Sequence, residues 1–241
     1  MNNSKLEEIT INPSEYTTSQ KINLNKSGSA FIEISMLSGE FYNYTKEHFD
    51  DFFNLHPIEK SKVVMKNKNN ENCHEVDAHR WYESYLNTPK LNQETLETSY
   101  MFSGLNDVQK ELPEKFKPLF DYINKESEYN QIVVNWYADQ DDYLPYHADW
   151  QHGMTKDSNI ATLTLNKIDD DTQCRTFIIK PKGNNDGTIP DDVIYKKINI
   201  ILKHGTIIKM YGDSITNFRH GIPKSVNQST PRIGVTFRQF D

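Results

Sequence analysis

"QIVVNWY", Gln131 to Tyr137, is the stretch whose reading decides the fold. Its β-branched and aromatic residues mark a strand, and it opens a change of texture along the chain. "IATLTL" (160–165), "TFIIK" (176–180), "INIIL" (198–202), "TIIKMYG" (206–212) and "RIGVTFRQF" (232–240) follow in the same manner. Clusters of Gly, Pro, Asn and Asp separate them. Upstream the periodicity is helical. Thr45 reads as an N-cap, with Phe49, Phe52 and Phe53 at i, i+3, i+4 behind it and an end near His56-Pro57. From Asn106 onward, Val108, Leu112, Phe116, Leu119, Phe120 and Ile123 fall on one stripe, and Pro113 opens a new helical segment. Helices first and many short strands afterwards give an α+β chain whose strands close into a sandwich or a jelly roll. The polar first 28 residues read as a loose arm and "KNKNNEN" (66–72) as a loop. No internal repeat is visible.

The totals set limits. A chain of 241 residues suits one domain, alone or with an attached subdomain, and its 12% aromatic share supplies bulky core material. A formal charge of −7 argues against a surface coated in basic charge, although a local basic groove can sit on an acidic body. Two cysteines, Cys73 and Cys174, lie far apart without a CxxC, so a disulfide framework is not expected. Cys73 with His74 and His79 has no regular metal-ligand spacing and reads as loop. The first ten residues contain no apolar core of a secretory signal, and no run approaches the roughly 18 apolar residues that span a bilayer. The expectation is an intracellular, soluble monomer without membrane contact.

"PYHADWQHG" (145–153) carries the chemistry. Residues i and i+2 of a strand face one side, so His147 and Asp149 can aim together into a cavity, and "NFRHGIP" offers His220 as a third group. Two histidines and a carboxylate on one face of a metal are the ligand set of non-haem Fe(II) oxygenases. Three protein ligands on an octahedral ion leave two positions for a bidentate 2-oxo acid and one for O2. Arg232 and Arg238 share a strand face and give the charge-assisted grip that a distal carboxylate needs. Asn135 and Tyr137, again two apart, add an amide and a phenol.

Asn-x-Tyr, His-x-Asp, a distant His and Arg-x5-Arg within "RIGVTFRQ" resemble, in that order, the AlkB family of Fe(II)/2-oxoglutarate dioxygenases. "HGTIIKMYG" and "YMFSGL" (100–105) extend the likeness over residues 80–241. The resemblance implies a double-stranded β-helix (jelly-roll) core over residues 129–241. Residues 29–128 would form N-terminal helices and a substrate-recognition lid, behind an arm over residues 1–28. It further implies Fe(II) on His147, Asp149 and His220, with 2-oxoglutarate held by Asn135, Tyr137, Arg232 and Arg238, and O2 as cosubstrate. The activity implied is oxidative N-demethylation of alkylated bases, releasing formaldehyde, succinate and CO2. The partner would be nucleic acid, as a single strand or a flipped base. Phe102 and Ser103 match the family's base-recognition stretch, and Arg80, Trp81 and Tyr82 fall where a lid would contact nucleic acid. Where repair members place acidic readers after His-x-Asp, this chain has Trp150, Gln151 and His152. Two other readings stand beside this one: an oxygenase acting on a protein or small molecule, and a jelly-roll binding module without turnover.

Overall fold

The computed structural model describes residues 6–13, 19–60, 62–66, 73–87, 100–102, 105–107, 110–149, 151, 153–168, 170–184 and 186–241. In chain order the strands are β1 (Glu7–Ile11), β2 (Gln20–Asn23), β3 (Ala30–Met36), β4 (Lys62–Lys66), β5 (Cys73–Asp77), β6 (Trp81–Leu86), β7 (Tyr100–Phe102), β8 (Leu105–Asp107) and β9 (Lys110–Glu111). They continue with β10 (Gln131–Tyr137), β11 (Leu144–His147), β12 (Ile160–Asn166), β13 (Arg175–Pro181), β14 (Tyr195–Leu202), β15 (Thr206–Gly212), β16 (Phe218–Ile222) and β17 (Arg232–Arg238). Helices α1 (Gly39–Glu47) and α2 (Phe49–Phe53) precede β4, and a third helix covers Lys117–Ile123.

The large sheet runs β2-β3-β15-β12-β17-β10-β6-β9 and the small one β1-β14-β13-β16-β11, with β4-β5 and β7-β8 as separate hairpins. Together the two sheets form the jelly-roll core. All seven residues of β10 are buried, and alternation explains why. Ile132, Val134 and Trp136 face a layer made by Phe52, Phe116, Leu119 and Phe120, where the Trp136 indole N–H donates to the Phe52 carbonyl at 3.0 Å. Tyr137 faces the space between the sheets, which Ile32, Ile160, Phe177, Ile198, Ile200 and Phe218 close at the other end. The helical layer covers the back of the large sheet. The inner faces of the two sheets are left to build a core at one end and a cavity at the other.

Four expectations about the first half need correction. The arm supplies strands: β1 pairs in parallel with β14, placing Ile11 opposite Ile200, and β2 pairs with β3. Its apolar contribution to the core is Ile9, Ile11, Ile22 and Leu24, a pattern too sparse to stand out from polar neighbours. The boundary at Glu128 is likewise not one in the sheets, because β2, β3, β6 and β9 belong to the large sheet. Thr45 is not an N-cap, since α1 begins after Ser38 and buries Thr45 inside it. Its hydroxyl bonds back to the Tyr42 carbonyl and lies 3.0 Å from the His204 ring. The helix expected from Asn106 starts later. Residues Leu105–Asp107 pair with Tyr100–Phe102, and the stripe from Leu112 to Ile123 is core only after the Pro113 turn.

Candidate active site

The two walls of the cavity come from different sheets. In the small sheet, β11 and β16 pair antiparallel with His147 opposite His220, their rings 4.4 Å apart. Asp149 follows β11 by two residues. One ligand atom from each of His147, Asp149 and His220 lies within 4.8 Å of the others. His147 is half-buried; Asp149 and His220 are buried.

The surroundings set the protonation of these groups. The Pro145 carbonyl lies 2.9 Å from His147 Nδ1, and a carbonyl only accepts, so Nδ1 carries the proton and Nε2 presents its lone pair. Burial lowers the pKa of His147, with Asp149 opposing. Burial and the neighbouring His147 push His220 down to about 3 against the pull of Asp149, so its ring is neutral at physiological pH. Phe177 stacks on that ring at 5.1 Å and fixes its plane. For Asp149, burial alone favours the neutral acid. The Arg238 guanidinium, helped by His220 and His147, outweighs burial and holds the carboxyl well below the usual range. Arg238 Nη2 donates to Asp149 Oδ1, while Asp149 Oδ2 accepts no hydrogen bond. Two neutral imidazoles and one ionised carboxylate with a spare oxygen form a donor set that fits a divalent ion.

The large sheet supplies the opposite wall. Arg232 is 1% exposed, with its guanidinium carbon 4.7 Å from the centre of the Tyr137 ring. Nη2 donates to Thr164 Oγ1 at 3.3 Å, but among the described residues Nε and Nη1 have no hydrogen-bond partner. Gly234 makes room for this head group: a Cβ there would lie 3.1 Å from Nη2. Buried unpaired donors on a cation are costly, and their position in the cavity makes the Arg232 head a candidate anion seat. Asn135 lies one strand position pair away, opposite Gly234. Its Oδ1 accepts a 2.7 Å hydrogen bond from Arg80 Nε, which leaves the Nδ2 amine as the group facing the cavity. The opening between the walls holds about 450 Å³ of empty space, including its open mouth, and is lined by both sets of residues.

The structure thus brings His147, Asp149, His220, Asn135, Tyr137, Arg232 and Arg238 to one cavity. It places Arg238 on Asp149, a contact that sequence spacing did not indicate. Arg80 and Tyr82, expected on a lid, are 3% and 4% exposed. Arg80 lies beneath Asn135, and the Tyr82 hydroxyl donates to the Lys62 carbonyl. Tyr82 belongs to the wall because β6 is an internal strand that pairs it with Asn135 of β10, and Arg80 immediately precedes that strand. Trp81 is half-buried, stacked 4.3 Å from the His56 ring. Gln151 is exposed. Phe102 lies on β7, but its side chain, like Ser103 and Trp150, is outside the described residues. Sequence reasoning missed Thr164, Gly234 and Phe177. A signal existed for Thr164: in "IATLTL" Thr162 and Thr164 form a polar row on an otherwise apolar strand.

Fold and site together define a 2-oxo acid-dependent, metal-centred oxygenase. The model of the 2OG-Fe(II) oxygenase superfamily matches residues 49–238, and the chain belongs to that superfamily. Its relatives bear out the resemblance to AlkB. It is 28% identical to mouse alpha-ketoglutarate-dependent dioxygenase alkB homolog 3 over 48% of this chain and 38% of that protein. It is 26% identical to mouse DNA oxidative demethylase ALKBH2 over 59% of this chain and 57% of that protein. With the Arabidopsis protein of the latter name the identity is 27% over 46% and 38%. The matches thus span less than two thirds of each relative. Members of the superfamily use Fe(II), 2-oxoglutarate and O2, and the donor set and anion seat described above fit the first two. Among the described residues no helix is long and apolar enough to cross a membrane.

Proposed function

We propose that this chain is an Fe(II)/2-oxoglutarate-dependent dioxygenase that removes N-methyl groups from nucleic-acid bases. The observation that carries the enzymatic reading is the buried Arg232 head with two unpaired donors, across one cavity from three converging ligand groups. When bound, iron, 2-oxoglutarate and O2 supply the oxidation of an unreactive C–H bond, coupled to decarboxylation of 2-oxoglutarate to succinate and CO2.

The chain's own residues position and protect. His147 Nε2, His220 and Asp149 would hold the metal, and the Pro145 carbonyl fixes which His147 nitrogen is free to do so. Arg238 keeps Asp149 ionised. Arg232 takes the distal carboxylate of the 2-oxo acid bidentately, steadied by Thr164 and Tyr137, and the Asn135 amine donates to the same molecule. Phe177 and Ile222 keep the wall behind His220 dry. The hydroxylated methyl of the substrate then leaves as formaldehyde. The nucleic-acid substrate is supported by the names of the AlkB relatives, among them a DNA oxidative demethylase.

The test has two arms. Succinate formation from 2-oxoglutarate with Fe(II), no substrate added, reads the oxygenase centre; its absence sinks the enzymatic reading. Formaldehyde release from methylated oligonucleotides, nucleosides and peptides reads the substrate. Release from peptides alone would replace nucleic acid by protein.

A further inference from the structure

The outward face of the small sheet carries a row of positive charge that the acidic chain pairs only at Lys197. In β16, Phe218, His220 and Ile222 are buried and Arg219 between them is exposed. Lys180 of β13 is the register partner of Arg219. One step past the Ile179–Ile198 pair, β14 contributes Lys197, which faces Glu8 of β1. At the other end of the row β11 presents Tyr146, 40% exposed, with Lys180 Nζ 4.5 Å from its ring centre. Lys182 continues the outward parity of Lys180 beyond the end of β13.

The balance of charge is one-sided. Glu8 pairs with Lys197 at 3.1 Å, and its carboxyl is held below the usual range by that hydrogen bond, with Lys196 and Lys180 adding to it. Among the described residues Arg219 has no ion pair or side-chain hydrogen bond, and the only partner of the Lys180 ammonium is the Tyr146 ring. Burial and then the nearby Arg219 lower the pKa of Lys182, with no carboxylate opposing them. Like charges gathered on neighbouring strands repel, and a chain of net charge −7 had acidic residues enough to pair them.

We propose that this face is a docking track for the phosphate backbone of a single nucleic-acid strand, with the Tyr146 ring stacking on one base. It rests on the nucleic-acid reading above and names a surface separate from the cavity. The chemistry fits: cations that follow the backbone and an aromatic face tolerant of any base are the parts of a single-strand site. The dimensions fit as well. Three strand spacings of about 4.8 Å carry the row from β11 to β14, about 14 Å, the reach of a short stretch of single strand. Tyr146 precedes the ligand His147 and points the other way along the same strand, so the track borders the wall of the metal site.

The experiment is a fluorescence-anisotropy titration of the full chain with a labelled single-stranded oligonucleotide at several salt concentrations. Lys180→Glu/Arg219→Glu should weaken binding tenfold or more. It should also cut the magnitude of the salt slope by about 1.4, at about 0.7 per phosphate contact. Lys115→Glu/Lys117→Glu, an equal charge change on the helical side, should do far less. Tyr146→Ala should weaken binding about fivefold or more, as loss of one stacked base does, with the slope kept. Melting curves check that each variant folds, and Lys180→Gln/Arg219→Gln, which removes the same two contacts and should give a similar slope change with a smaller loss of affinity, replaces the reversal if that one does not. Wild-type binding with an unchanged slope in the Lys180/Arg219 variants overturns the track and leaves the demethylase reading standing. So does an equal loss in the Lys115/Lys117 control, which would show bulk charge only. Displacement of the oligonucleotide by polyglutamate as readily as by unlabelled strand would assign the face to an acidic polypeptide instead. No binding by wild type at low salt removes the nucleic-acid reading and the track with it.

Discussion

The small sheet and the large sheet face each other across one cavity, yet their charged groups are finished to different degrees. On the small-sheet side Asp149 already has its counter-charge, because Arg238 reaches across from β17 and donates to Oδ1. On the large-sheet side Arg232, six residues earlier on the same strand, keeps Nε and Nη1 unpaired at 1% exposure. Leaving a buried donor unsatisfied costs about 1–3 kcal/mol, more for a charged group. The folded chain carries that cost until an anion arrives. On the proposed roles, the contrast separates a wall whose charges are paired by protein contacts from one whose pairing awaits a ligand. The proposed ligand triad is held by protein contacts, whereas the proposed anion seat is held open.

Breaking the finished wall should have the largest effect. Asp149→Ala removes a proposed ligand and also takes from Arg238, 2% exposed, its Asp149 carboxylate. Turnover should fall to background, and stability should drop by about 3–5 kcal/mol, as when one member of a buried pair is lost. His147→Ala should abolish turnover equally, but with a small stability cost, since that ring is half-buried and, among the described residues, its hydrogen bond is to the Pro145 carbonyl on its own strand. Succinate assays and urea melts read the two quantities separately. Equal stability losses in both variants would refute the picture of Asp149 as half of a buried ion pair.

Breaking the open wall should be milder and act on a different quantity. Arg232→Ala should weaken 2-oxoglutarate binding about 30-fold or more, from the roughly 2–5 kcal/mol lost with one partner of a buried charged contact. Metal affinity should stay within about twofold. Titration calorimetry with the metal and then the 2-oxo acid measures both; an unchanged 2-oxoglutarate affinity would dismiss Arg232 as the seat. Gly234→Ala comes next. Its Cβ would stand 3.1 Å from Nη2 of Arg232, so the head group must shift by a few tenths of an ångström. A loss of about three- to tenfold in 2-oxoglutarate affinity is expected, with the melting temperature nearly kept because the flexible guanidinium yields before the backbone does. A loss as large as that of Arg232→Ala would mean that the glycine serves the backbone and not the arginine.

How much of this was legible in the sequence follows from the range of each signal. The strand register is a period-two pattern, so His147 with Asp149, Asn135 with Tyr137 and Arg232 with Arg238 could each be read as sharing a face. The order of those pairs along the chain carried the family. What pairs with what across the cavity is a tertiary fact with no local period. Hence the Arg238–Asp149 contact was not visible, and Arg80 read as a lid residue although it lies under Asn135. β1 and β2 were missed for the opposite reason: strands of five and four residues with few apolar positions owe their form to the neighbours they pair with. The stripe from Leu112 to Ile123 was sound as core, but the strand pair Tyr100–Phe102 and Leu105–Asp107 shows that Asn106 starts no helix.

The subtlest difference between the walls lies in how the Arg232 head is aimed. Thr164 stands beside Gly234 in the β12–β17 register, and its hydroxyl accepts from Nη2 at 3.3 Å. The distance is long and the geometry that of an adjusting contact, so its worth is that of an ordinary hydrogen bond, about 0.5–1.5 kcal/mol. Thr164→Val keeps the shape and removes only this acceptor. It turns a third guanidinium nitrogen into an unpaired buried donor and frees the head to rotate. Both effects act on the apo protein and on the complex alike, apart from the aim. A loss of about two- to fivefold in 2-oxoglutarate affinity is therefore expected, together with about 1 kcal/mol of apo stability and no change in metal affinity. Thr164→Ser, which retains the acceptor, should restore most of the affinity while giving up a methyl from the core. If Ser and Val behave alike, the methyl and not the hydroxyl is what Thr164 contributes, and Tyr137 alone positions the arginine.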